Sequence, residues 1–206
     1  MKFEQLIHTS APAGIDGRSA GYVCVGMSQN IPLGLERKLC ESSSMEDYFL
    51  DKKEPIRRLI ILSVNKIPWV VLTNIKACGE DFTGRPNRIA HHLVAPLGSA
   101  ELGDPVRIFS EFEFFDSWNR DPKILDSQEI KLSKQQPRVP TTWESLLGDP
   151  GIAGAVAKLA FPGKRPLWIK SKDEDPIELV SEISSLLPGL AAWKLTFSLS
   201  ASGEDT

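Results

Sequence analysis

The sequence predicts an α+β domain with a mixed, largely antiparallel sheet and with helices drawn mainly from the C-terminal half. The clearest evidence is a pair of apolar, β-branched segments that flank the turn-forming residues "NKIP" and predict a hairpin with strands near 57–64 and 68–76. In the second half, apolar residues recur every three to four positions over 176–187, which indicates a helix. The alternating segment at 193–199 then predicts a terminal strand.

Two further strands are predicted near the N-terminus. Residues 3–10 alternate between inward and outward positions, and residues 22–28 form a second apolar run. The segment between them carries three glycines and a proline, so the two strands are expected to form a hairpin with a long loop. A short helix is predicted after them, because Leu35 and Leu39 recur at a spacing of four residues.

The strand near 57–64 is nearly continuous in apolar residues, which predicts a central strand buried on both faces. Residues 89–96 form another strand, which a proline ends. The segment 116–140 is dense in Pro, Asp, Lys and Gln and lacks periodicity, so it is expected to be an irregular, exposed connection. Residues 1–200 are therefore predicted to form a single α+β domain, with a division into two lobes near 116–140 as the alternative and a polar tail at 201–206.

The second half of the chain supplies most of the helices. Two are predicted over 141–161, divided by a glycine and a proline, and a threonine at 141 or 142 before Glu144 predicts a capping box. The segment "RPLWIKS" predicts a short strand. The helix over 176–187 is expected to begin at a cap, Asp175, and to bury one face in the core. That face consists of Ile177, Val180, Ile183 and Leu187.

Composition argues against several classes of function. The chain has 206 residues and a net charge of −3, so a global basic surface for nucleic acid or for an anionic membrane is disfavoured. The sequence has no run approaching the roughly 18 apolar residues of a membrane helix and no signal-peptide core, so the protein is expected to be cytoplasmic. The three cysteines lack zinc-ligand spacing. Neither a metal nor a cofactor is predicted, and Cys24 is expected to be a buried thiol.

The stretch "GRPNRIAHHLV", residues 84–94, concentrates the side chains that could carry a function. Guanidinium groups match the geometry of carboxylate and phosphate, and imidazole titrates near neutrality. The first five residues are expected to form a loop and the rest a strand, on which adjacent histidines point to opposite faces. The alternative is a solvated turn that leads into a structural histidine. The predicted binding residues are Arg85, Asn87, Arg88 and His91.

No catalytic residue is assigned from the sequence. The patterns GxSxG, HExxH and GxxxxGK[ST] are absent, and the glycines of "GIDGRSAG" have the wrong spacing for a dinucleotide-binding loop. The residues considered for a catalytic role are His91, His8 and Asp81, with the carboxylate as a general base.

Four stretches, in this order, are similar to one known family: "QLIHTS", "GRSAGYVCVGMSQNIP", "GRPNRIAHHLV" and "LLPGLAAWKLTFS". The sequence resembles the N-terminal domain of the bacterial GTPase-associated protein family, whose members occur in gene neighbourhoods of predicted conflict or immunity systems. The matching positions are Gly21, Ser28, Gly84, Arg85, Asn87, His91, Leu93, Pro188, Thr196, Phe197 and Ser198.

The resemblance implies a part of a larger protein or system associated with a GTPase, and it supplies no known reaction. The first hypothesis is therefore a non-enzymatic adaptor or sensor domain that binds a protein partner, a GTPase or an effector, in bacterial conflict or antiviral defence. The second is an enzyme that acts on a nucleotide or a peptide through His91, with Arg85 or Asn87 and a loop carboxylate. Geometry separates the two, because a catalytic site requires these groups to converge on one pocket.

Overall fold

The computed structural model describes residues 1–17, 20–43, 55–99, 103–132, 136–160 and 176–199. Within them lie eight strands: β1 Lys2–Ala11, β2 Gly21–Ser28, β3 Ile56–Val64, β4 Ile67–Glu80, β5 Pro86–Pro96, β6 Lys123–Leu125, β7 Gln128–Glu129 and β8 Phe197–Leu199. Seven of these strands follow the order β6-β2-β1-β5-β4-β3-β8, and β7 pairs with β1. Among these strands only β6 and β2 pair in parallel, so the sheet is mixed and largely antiparallel, as predicted.

The helices lie mostly in the C-terminal half, which confirms the predicted fold class. They are α1 Leu33–Ser42, α2 Ile108–Glu111, α3 Thr141–Leu147, α4 Gly151–Ala160 and α5 Pro176–Ser185. In the described part of the chain, none of them has the length and apolar character needed to cross a membrane.

The hairpin of β3 and β4 turns at Asn65 and Lys66, whose φ values of 52° and 65° are left-handed. Two such residues in a row form a two-residue turn whose twist matches that of the strands, which confirms the predicted hairpin. The prediction of a central β3 was wrong, because β3 lies beside the edge strand β8 and between residues 57 and 63 only Leu59 is buried. Partly covered side chains near an edge can be apolar without being buried.

The central strands β1, β5 and β4 separate two cores. The helical face of the sheet carries Phe3 and Leu93, which share one buried cluster with side chains of α3, α4 and α5. The opposite side, the α1 face, carries Leu6 and Val94, which pack with Leu35 of α1. The predicted helix after β2 and its buried side are therefore confirmed.

The segment 116–140 is more regular than its composition predicts. It contains β7 and β6, which pair with β1 and β2, and Leu125 of β6 is only 8% exposed. The expectation of a wholly irregular, exposed connection was therefore wrong. Strands of two or three residues depend on the sheet that they join and are too short to show an alternating pattern.

The start of α3 also differs from the prediction. Its N-cap is Pro140, which makes no side-chain cap bond. Instead the carboxylate of Glu182, in α5, accepts the amide hydrogens of Thr142 and Trp143 at 3.0 and 3.2 Å. The predicted local capping box was wrong because a distant carboxylate satisfies the exposed donors at the start of the helix.

The C-terminal strand is shorter than predicted. Trp193 lies in the 3-10 helix Gly189–Lys194, and the strand is confined to β8. Three further predictions lie outside the described residues, namely the strand "RPLWIKS", the cap Asp175 and the tail at 201–206.

The face of α5 that its periodicity predicts is buried, together with most of the other residues of this helix. Ile177, Val180 and Ile183 are 8%, 9% and 4% exposed, and Leu187, just beyond the helix, is 8% exposed. These side chains belong to the cluster that covers the helical face of the sheet.

Replacing Ile183 with alanine is expected to lower the free energy of unfolding by about 2–5 kcal/mol, the usual cost of truncating a buried aliphatic side chain. The matched control is Leu186→Ala on the same segment, since Leu186 is 37% exposed, and its cost should stay below about 1 kcal/mol. Urea denaturation of both variants measures the difference. Equal costs would show that the packing face is assigned wrongly.

Candidate functional site

The motif "GRPNRIAHHLV" spans a turn and nearly all of β5. The strand begins at Pro86, two residues after Gly84, whose φ of 79° belongs to the turn. The expectation that the loop extends to Arg88 was therefore wrong. Pro86 fits the first position of a strand, where it is not required to donate an amide hydrogen to the ladder.

The two histidines of the motif lie on opposite faces of the sheet, as the alternation of a strand predicts. His91 is paired with Ile7 and lies on the helical face, where three phenylalanine rings surround it at centroid distances of 5.2–5.7 Å. His92 is paired with Leu6 and lies on the α1 face. Both histidines have 0% exposure. They are therefore internal parts of the domain.

His91 is the middle member of a chain of hydrogen bonds, here called the His91 chain. The Phe115 amide donates to its Nδ1 (3.1 Å), and its Nε2 donates to Gln5 Oε1 (3.0 Å). Gln5 Nε2 in turn donates to the carbonyl of Asp126 (2.6 Å). Because Nδ1 accepts a hydrogen bond, the proton of the neutral ring is on Nε2. The His91 chain attaches the segment from Phe115 to Asp126 to the centre of the sheet at both of its ends, through the Phe115 amide and the Asp126 carbonyl.

His92 occupies the same position in a second chain, the His92 chain. The Thr73 hydroxyl bonds its Nδ1 at 2.8 Å, and its Nε2 lies 2.8 Å from Ser43 Oγ. The Ser43 hydroxyl donates to the carbonyl of Leu39 (2.8 Å), so it accepts from His92. This chain ends at one of the carbonyls that the last turn of α1 leaves without a helical partner. It therefore fastens the end of α1 to the sheet.

Burial keeps all three histidines of the protein neutral near pH 7. It lowers the pKa of His91 to about 3 and that of His92 well below its ordinary value. His8 lies on the α1 face, opposite Ala90, and is 8% exposed. Burial first, and the nearby charge of Arg88 second, lower its pKa to about 4.

Asp81 organises the turn that precedes β5. One of its carboxylate oxygens accepts hydrogen bonds from the amide and hydroxyl of Thr83 and from the amide of Arg85, at 2.6–3.1 Å. The other accepts from the Ser10 hydroxyl (2.9 Å) and the Arg85 guanidinium (3.3 Å). The Thr83 hydroxyl, together with these amides, holds the pKa of Asp81 below its usual range. The turn is thus held in one conformation, with the Asp81 side chain 2% exposed and that of Arg85 67% exposed.

Asn87 and Arg88 have different surroundings. Asn87 accepts the amide hydrogens of Ser10 and Arg88 at 3.3 and 2.8 Å and donates to the Ser10 carbonyl (3.4 Å), so it joins the start of β5 to the end of β1. The Arg88 guanidinium lies over the Tyr22 ring, 4.0 Å from its centroid, and donates to the carbonyl of Ser43 (3.2 Å). Asn87 is thus an internal brace, and Arg88 remains partly accessible.

The residues predicted to form one site are distributed over three places. His91 lies on the helical face, His8 and Arg88 lie on the α1 face, and Asp81 and Arg85 lie in the turn. Six residues separate Arg85 from His91, about 20 Å along an extended strand. The structure therefore brings Asp81 to Arg85 and His8 to Arg88, but it does not bring His91 to any of them. In the described ranges, no group of three or more His, Cys, Asp or Glu side chains is placed to hold a metal ion.

The sequence analysis missed the residues that hold the histidines. Gln5 was recognisable in part, since it is a polar residue in the inward phase of β1 between Phe3 and Ile7. Ser43 and Thr73 gave no such indication, because a serine after a helix and a threonine in a strand are ordinary at those places.

Taken together, these contacts define an α+β domain in which residues of the motif hold a central sheet to its covering segments. The family model described as "GTPase-associated protein 1, N-terminal domain type 2" matches residues 2–130. The chain belongs to this family, as the resemblance indicated, and the membership fits a GTPase-related role. Comparison with curated proteins and with solved structures gave no match. The matched range contains β1–β7, α1 and α2, and ends before α3.

Proposed function

We propose that this domain is a non-enzymatic adaptor or sensor that binds a protein partner, a GTPase or an effector that acts with one, in a bacterial conflict or defence system. The observation that carries the proposal is a set of aromatic and arginine side chains displayed at one end of the sheet. This set, here called the tip surface, consists of Tyr22, Phe82, Arg85 and Arg88.

The residues of the tip surface are connected by the strands and the turn that carry them. Tyr22 is the cross-strand partner of Ser10, and Ser10 bonds Asp81, which immediately precedes Phe82. Tyr22 and Phe82 are 37% and 49% exposed. Aromatic and arginine side chains dominate the binding energy of protein interfaces, and a rigid support reduces the entropy lost on binding. The bonds of Asp81 supply that support, which favours an adaptor.

The enzymatic alternative would use His91 with Arg85 or Asn87 and a loop carboxylate. That reading needs the groups to converge, whereas His91 is completely buried among phenylalanine rings and Arg85 is paired with Asp81. The hydrogen bonds of His91, Asn87 and Asp81 all join parts of the domain to each other. These contacts support structural roles for His91, Asn87 and Asp81, and the tip surface is the part that we propose to face a partner.

The proposal is tested by the affinity for the GTPase encoded in the same gene neighbourhood. We expect Phe82→Ala and Tyr22→Ala each to weaken binding by about tenfold or more, the effect of truncating an aromatic anchor. Isothermal titration calorimetry with the purified proteins measures the affinity. Thermal stability of the Phe82→Ala variant should stay close to that of the wild type, because Phe82 is half exposed at the tip of a hairpin.

Ile67→Ala is the matched control. Ile67 is 48% exposed, nearly the same as Phe82, but it lies at the other end of β4. Its replacement should leave the affinity unchanged. A GTPase that binds the wild type and both tip variants equally, or that loses as much affinity with the control, would refute the tip surface as the binding site.

A further inference from the structure

Two arginines from different strands converge on the C-terminal end of α1. Arg58 of β3 donates from Nη1 to the carbonyl of Ser42 (3.0 Å), and Arg88 of β5 donates from Nε to the carbonyl of Ser43 (3.2 Å). The strand β4 lies between their strands, yet the two guanidinium groups contact consecutive residues. They therefore share one small region at the edge of the α1 face.

The charge in this region is positive beyond what a helix end requires. The C-terminus of a helix carries the equivalent of about half a negative charge and Glu41 in the last turn of α1 adds one more, whereas the two guanidinium groups carry two positive charges. Within the described ranges neither Arg58 nor Arg88 forms an ion pair with a carboxylate. Burial lowers the pKa of Arg58, with no contribution from a nearby acidic group. One arginine would suffice as a cap, and the pair leaves an excess of about half a positive charge at this end of α1.

Donors in this region are also left without partners. Arg88 uses Nε for the helix end, which leaves the outer edge of its guanidinium fork available, and the Tyr22 ring below fixes the plane of that fork. His8 contacts the same ring, with centroids 6.1 Å apart. Its Nδ1 is buried and has no hydrogen-bond partner, although the residue is only 8% exposed. A buried polar atom without a partner is rare and indicates a missing hydrogen-bonding group.

We propose that Arg58 and Arg88 form a binding site for a phosphate-type oxyanion beside the end of α1, with His8 Nδ1 as an additional donor. A tetrahedral dianion matches two guanidinium groups in both charge and hydrogen-bonding capacity. The ligand is free phosphate or the phosphate group of a small phosphomonoester. This site goes beyond the adaptor function: it shares Arg88 and Tyr22 with the tip surface, but it adds Arg58 of β3 and the end of α1, which the tip surface does not include.

The test is a titration of the full chain with inorganic phosphate and, separately, with glycerol phosphate, at constant ionic strength. We expect saturable binding by calorimetry and a matching rise in the thermal midpoint. Arg58→Gln and Arg88→Gln should each weaken binding by about tenfold or more, because each removes one charged donor group; Arg58 also donates from Nε to Ser198 Oγ (3.2 Å), which leaves its Nη2 for a ligand. Arg57→Gln is the control, since Arg57 neighbours Arg58 in β3 but points to the opposite face, and it should bind like the wild type.

The capping role of these arginines requires a second comparison. If a glutamine variant is destabilised, Arg88→Lys keeps the charge but not the fork, and it should fold and bind with an intermediate affinity. Equal affinity for both ligands identifies free phosphate as sufficient, and tighter binding of glycerol phosphate identifies an ester; either result supports the site. No saturable binding of either ligand by the wild type, or an equal loss with Arg57→Gln, would overturn it.

Discussion

Replacing His91 with alanine is expected to lower the free energy of unfolding by about 3–5 kcal/mol. The side chain is completely buried among Phe112, Phe114 and Phe115, so its removal leaves a cavity. The change also leaves the Phe115 amide and the Gln5 carbonyl oxygen without their partner, which adds a cost for buried unsatisfied groups. Equilibrium unfolding in urea measures the loss.

The His91 chain makes a sharper form of this expectation possible. Gln5→Ala should also be destabilising, and the double variant with His91→Ala should cost clearly less than the sum of the two single changes, because both remove the same bond. At a temperature where the variants are folded, we expect their affinity for the proposed GTPase partner to be unchanged. Additive stability effects would show that the chain is not a unit, and lost affinity in a folded His91→Ala protein would revive a direct binding role for His91.

Lowering the pH below 6.5 should already destabilise the domain, at pH values above those at which ordinary carboxylates titrate. An unfolded histidine has a pKa near 6.5, whereas burial lowers the folded pKa of His8 to about 4 and that of His91 to about 3. Below pH 6.5 the unfolded chain therefore binds protons that the native protein does not, so stability falls as the pH falls. Each histidine contributes up to about 1.4 kcal/mol per pH unit, and the loss ends only near its folded pKa.

The measurement is urea unfolding between pH 7 and 5. His92, with its pKa also lowered, adds to the effect, while the raised pKa of the buried Asp104 opposes it at lower pH. His8→Gln is the control, and it should remove about one histidine's share of the slope. A stability that is flat from pH 6.5 to 5 would show that the buried rings take up protons without cost.

The periodicity and the turn residues of the sequence were sufficient to predict the central features of the fold. The turn at Asn65 and Lys66, the hairpin of β1 and β2 and the buried face of α5 follow from local rules of turn chemistry and side-chain spacing. The position of β3 within the sheet could not be predicted from these local rules, because β3 is as apolar as a central strand but lies next to the edge strand β8. The same limit applies to the cap of α3, which Glu182 provides from another helix.

The candidate site was only partly accessible to sequence reasoning. Strand alternation correctly separated His91 from His92, since that rule concerns adjacent residues. The partners of these rings, Gln5 and Ser43, are 86 and 49 residues away along the chain. Contacts at such separations depend on strand order and register, which a single sequence does not encode in its local pattern. The convergence of Arg58 with Arg88 is another product of strand order.

The central place of β1 has a consequence for how the protein is made. β1 is synthesised before the other strands of the sheet, but its neighbour β5 begins 75 residues after β1 ends, from Ala11 to Pro86. At translation rates of roughly 5–20 residues per second, the interval is about 4–15 s. Throughout it, both edges of the nascent β1–β2 hairpin are open, because β6, the neighbour of β2, is made later still. The helices α3–α5 that cover the helical face are also not yet made, and these are the conditions that favour aggregation and chaperone binding. The histidines that later secure the sheet belong to β5, so they emerge from the ribosome before β6 and before the helices that cover the helical face.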